Sequence, residues 1–136
     1  MKTLSQFRMQ QALDLVREVV GKPEQVRTIY GNLCHEFPVL VRTSGLCQAI
    51  AFCAYKAQSD DKARAEAYRL LLKHIGKVLG VETDGNGGAN DQLLKTILQA
   101  STTEYMLHTR RVLQAWVYFQ RFAVSVLGVK TGGSES

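Results

Sequence analysis

FPVLVRTSGLCQAIAF, residues Phe37–Phe52, holds a helix breaker, a sharp restart and an apolar helix in one short run. Pro38 has no backbone N–H and disfavours helical geometry at Phe37, so a helix arriving from upstream is expected to end there. Ser44 is the expected N-cap of the next helix and Gly45 its close entry, after which Leu46, Ala49, Ile50 and Cys53 recur at helical spacing. Cys47, Ala51 and Ala54 occupy the opposite side. A helix this apolar reads as central, with neighbours on most of its circumference.

Upstream, Thr3 with Gln6 has the form of a capping box, and Ala12, Leu15, Val16 and Val19 make one apolar stripe that should stop at Gly21. Pro23 suits the first position of a second helix whose buried face is Val26, Ile29, Tyr30 and Leu33. Downstream, Ser59 is the expected cap of a fourth helix, with Asp60 and Asp61 in its first turn, apolar residues Ala67, Leu70, Leu71, Ile75 and Val78, and an end near Gly80. Residues 82–89, ETDGNGGA, read as a mobile loop. Asn90 is the expected cap of a short helix to Ala100, and Ser101 with Glu104 opens a long final one reaching about Leu127. The expected architecture is therefore all-α, a single-domain bundle of about six helices over 1–127, with a flexible tail at 128–136.

A chain of 136 residues is long enough for a sizeable core without disulfides. Cys34, Cys47 and Cys53 are an odd set without a CxxC pair and read as reduced core thiols. No run of about 18 apolar residues suggests a membrane span, and none follows Lys2 to suggest a signal peptide, so a cytoplasmic chain is expected. The formal net charge of +5 fits nucleic acid or an acidic protein partner without choosing between them.

No cofactor or metal motif emerges. Asp84, Asn86 and Gly88 suggest a calcium loop, but Ala89 stands where the sharp-turn glycine belongs and Lys95 where the bidentate glutamate belongs. A metal-dependent nuclease would have to use Asp60, Asp61 and Asp84, and the adjacent pair suits a helix N-terminus better than an ion cage.

Positive charge along helix faces is what remains. Lys62, Glu66, Arg69, Lys73 and Lys77 follow a four, three, four, four spacing on one stripe, readable as a solvated face or as phosphate contacts. On the last helix Arg111, Gln114, Tyr118, Arg121 and Ser125 share a side, with Arg110 at its edge. Guanidinium groups pair with phosphates and stack on bases, and a tyrosine adds a stacking surface, which suits single-strand binding. The alternative is that Tyr118 packs at the core rim and the arginines pair with carboxylates. Arg42, just before the helix restart, is a further candidate contact or a cation at a helix C-terminus.

Pro38, Leu40, Gly45, Leu46, Gln48, Ala49 and Phe52, with Ser5, Gln6, Arg8 and Ala12 at the start and Tyr118–Ala123 at the end, resemble the signature of the small α-helical subunit of the type III-B CRISPR (Cmr) effector complex. The resemblance covers most of the chain. It implies a noncatalytic subunit that stacks with copies of itself beside the backbone subunits, bracing crRNA and target RNA. The other readings open at this point are a freestanding helical nucleic-acid-binding or adaptor protein and, behind it, the small nuclease.

Overall fold

The computed structural model describes residues 1–81 and 87–130, and of 87–91 the backbone alone. Within them the chain forms α1 (Leu4–Val20), α2 (Glu24–Ser44), α3 (Leu46–Lys56), α4 (Lys62–Leu79), α5 (Gly87–Leu98) and α6 (Thr102–Ser125). The expected all-α, six-helix bundle is what is found.

The helix at the centre is α2, which packs on α1, α3, α4 and α6, whereas α3 packs mainly on α2, α4 and α5, meets α6 at Tyr105, and leaves Phe52 and Tyr55 in water. The expectation that α3 is central is corrected accordingly. So is the break at Pro38, which lies inside α2. Losing one helical hydrogen bond and tolerating the ring costs about 3 kcal/mol. Cys34 and Phe37 before the proline and Val41 after it are all buried, so tertiary packing on both sides outweighs that local cost. Phe37 lies 5.2 Å from Trp116 between ring centroids, and Trp116 in turn stacks on Phe119 at 4.1 Å.

The true break is Gly45, whose φ of +86° is open to glycine and strained for other residues. Ser44 is the last residue of α2 and does not cap α3. The Cys47 amide instead donates to the Tyr105 hydroxyl of α6 at 3.0 Å. Together with Phe37–Trp116 and the contact of Gly31 with Val129, this shows α2 and α6 running antiparallel.

Other boundaries follow their caps. Thr3/Gln6 and Ser101/Glu104 both form complete capping boxes. Asp61 rather than Ser59 caps α4, accepting from the Ala63 and Arg64 amides, while the Ser59 hydroxyl accepts from Asp61 N–H. A carboxylate is the stronger partner at the positive end of a helix. Pro23 stands one position before α2, and α5 begins at Gly87, so Asn90 lies within it rather than capping it. Of the expected loop, residues 82–86 lie outside the described residues. Of the expected tail, Gly128–Lys130 turn back onto α2, where the Val129 carbonyl accepts from His35 Nε2 at 2.8 Å, and 131–136 lie outside the described residues.

Candidate nucleic-acid interface

The exposed face of α6 is fixed by what its other face buries. Val112, Ala115, Trp116, Phe119 and Ala123 point into the core, which turns Arg110, Arg111, Gln114 and Arg121 outward. Tyr118 stands at the edge, half-buried, with the Arg121 guanidinium 6.0 Å from its ring centroid. This pair places a cation and a π-face side by side.

The first helix completes this face. Ser5 Oγ lies 2.7 Å from Tyr118 OH, and Arg8 donates to Gln114 Oε1 at 2.6 Å. One turn on, Gln11 donates to the Lys77 carbonyl at the end of α4. Arg8 and Gln11 thus join the α6 row to the α4 stripe within about 4.5 Å of axial rise. Sequence spacing alone does not show that these two link the helices. A signal exists nonetheless, because Arg8 continues the longitude of Ala12, Leu15 and Val19 and must therefore face a neighbouring helix.

The α4 stripe extends about 22 Å from Lys62 to Lys77 and is not uniformly basic. Lys62, Arg69 and Lys77 are exposed, and among the described residues none has a carboxylate within ion-pair distance. Glu66 pairs with Lys22 at 2.8 Å and Lys73 with Glu18 at 3.3 Å, so the middle of the stripe is partly neutralised. Arg42 sits exposed in the last turn of α2, about 18 Å along that helix from the Tyr30 contact with α4, and does not join the stripe near Lys73.

Glu18 is held from below. His74 is fully buried, its Nδ1 2.6 Å from Tyr30 OH and its Nε2 3.3 Å from Glu18 Oε1. Burial pushes the His74 imidazole below its usual range, so the ring is neutral. The pattern that satisfies all three groups has Nε2–H donating to Glu18 and Nδ1 accepting from Tyr30. That hydrogen bond, with Lys73 nearby, lowers the Glu18 carboxyl to about 2 against the opposing effect of its own burial. Cys34 and Cys53 are pushed up to about 12 by burial, which keeps them protonated core thiols.

Among the described residues no three His, Cys, Asp or Glu side chains gather as a metal cage, and Asp61 is committed to its cap. Asp84 lies outside the described residues. What the fold and surface define is a small all-α bundle carrying two basic rows that meet across α1.

The family model described as CRISPR-associated protein (Cas_Cmr5) matches residues 4–126. A CRISPR system Cmr subunit Cmr5 from Thermus thermophilus is 34% identical over 127 residues, covering 93% of this chain and 98% of that one. The crystal structure of a CRISPR-associated Cmr5 family protein, also from Thermus thermophilus, superposes with a TM-score of 0.71 at 31% identity, over the same shares of the two chains. This chain belongs to the Cmr5 family.

Proposed function

We propose that the chain is a noncatalytic structural subunit of a type III-B CRISPR Cmr interference complex, working in the cytoplasm. In this reading it packs against other Cmr subunits, stacks with neighbouring copies of itself, and braces crRNA and target RNA through phosphate contacts on α1, α4 and α6. Family membership supports the assembly. The observation that carries the RNA contact is the junction at α1, where Arg8 reaches Gln114 and Gln11 reaches Lys77, so that two basic rows form one surface. Base pairing between guide and target would then read sequence, and the protein would supply backbone electrostatics.

The test replaces Arg110, Arg111 and Arg121 together by alanine and measures RNA affinity across a salt series. All three are exposed, so helicity should persist. The slope of log affinity against log salt should fall by about 0.7 for each phosphate no longer engaged. An unchanged slope would remove α6 from the interface.

A further inference from the structure

Leu40, Gln48 and Phe52 lie within the apolar run 37–52, yet Gln48 and Phe52 stay on the surface. Phe52 is 43% exposed and Tyr55, one turn later, is 75% exposed. Isolated apolar residues on a surface are ordinary, but these two aromatics share one face of α3 with Gln48. Leu40, Ser44, Gln48 and Phe52 line a notch of about 460 Å³ where α2 and α3 meet at Gly45. It continues at Leu40 and Phe52 into a longer groove along α2.

The Phe52 ring is held in place. It meets Tyr68 edge-on at 6.3 Å, and Lys56 Nζ stands 5.5 Å from its centroid. Arg64 stands beside Tyr68, and the adjoining groove also carries the Glu36 carboxylate. Arg42 precedes Ser44 in the last turn of α2, and Lys56 ends α3. Of the two carboxylates in the turn before α4, Asp61 is engaged by the Ala63 and Arg64 amides and Asp60 is exposed.

We infer that this face of α3 is a single-stranded RNA site, separate from the α1–α6 surface and resting on the RNA-contacting role proposed above. One base enters the notch against Phe52, where the Gln48 amide and Ser44 hydroxyl offer donors and acceptors. The next base stacks on Tyr55. The Lys56 ammonium swings on its flexible stem from the ring to a phosphate, and Arg64, beside Tyr68, takes the following one. The cation over the Phe52 ring and the exposed π-face of Tyr55 beside it favour an anionic, base-bearing strand as the occupant.

The experiment follows binding of a fluorescein-labelled, unstructured RNA to the full chain by anisotropy across a salt series. It compares the native chain, Tyr55→Ala, Phe52→Ala, Phe52→Tyr and the triple arginine variant. Tyr55→Ala and Phe52→Ala should each bind about 5- to 100-fold more weakly at every salt concentration with an unchanged slope, because stacking is not electrostatic. Phe52→Tyr should bind like the native chain. Tyr55 is too exposed for its removal to unfold α3, and circular dichroism checks Phe52→Ala. If both aromatic variants bind like the native chain while the arginine variant loses slope, this site is overturned and the α1–α6 surface stands. If those variants keep RNA affinity and lose self-association in sedimentation, the face is a protein contact and the proposal is overturned. Absence of RNA binding by the native chain would overturn both.

Discussion

The Tyr105 hydroxyl on α6 accepts the Cys47 amide on α3 at 3.0 Å, so the helix that starts after Gly45 takes its N-terminal partner from the far end of the chain. The same hydroxyl lies 3.3 Å from where a side chain on Gly45 would begin. The restart of the chain and the first turns of α6 are thereby locked together.

Tyr105→Phe should cost about 1 kcal/mol in chemical denaturation, the usual effect of removing one capping hydrogen bond. Hydrogen exchange should quicken selectively at residues 46–48. Uniform protection across α3 in the variant would show that another group caps it.

Gly31 leaves a gap in α2 that the Val129 side chain fills, and a Cβ there would overlap Val129. Gly31→Ala should therefore displace Gly128–Lys130 from α2 and destabilise the fold by about 1–3 kcal/mol. Adding Val129→Ala should restore part of that stability in a double-mutant cycle. Additive costs would show that the two positions do not meet.

His74 and Glu18 both have native pKa values below their ordinary ones. For each, the unfolded chain binds the proton first as pH falls, so acid favours unfolding. Stability should decline as pH drops below 6.5, where unfolded His74 charges, at up to about 1.4 kcal/mol per pH unit. A second decline should follow below 4.5 as unfolded Glu18 protonates, continuing to about 2. Denaturation midpoints of His74→Gln should lose the first slope and show a weaker second one, because the imidazole that chiefly lowers the Glu18 carboxyl is gone while Lys73 remains. A variant that retains both slopes would place the titration elsewhere.

Lys73 shares Glu18 with His74, whereas Lys77 is exposed and has no carboxylate within ion-pair distance among the described residues. Lys77→Ala should lower the salt slope of RNA binding by about 0.7 and Lys73→Ala by less. Glu18→Gln should release Lys73 and strengthen binding. Equal reductions from both lysines would contradict the partial neutralisation of this stripe.

Most of the fold was legible because its helices obey local rules. Two capping boxes, the Gly21 and Gly80 stops and the apolar spacings of α1, α2 and α4 agree with the packed structure. Pro38 misled because the proline penalty is local, while Phe37 is held against Trp116 and Val41 is buried beyond it. The centrality of α3 misled for a related reason, since small apolar residues such as Ala51 and Ala54 permit burial without requiring it. The basic rows were legible as periodicities. Their junction was not, because Arg8–Gln114 and Gln11–Lys77 are contacts between residues far apart in sequence.

Membership of a guide-RNA-bearing assembly is tested by native mass spectrometry of the tagged chain, gently purified from its own host with the bound RNA sequenced from the same preparation. Several copies of the chain should appear in one large assembly with other Cmr subunits and repeat-derived guide RNA. Recovery of a monomer or simple dimer without guide RNA, from cells expressing those subunits, would contradict it.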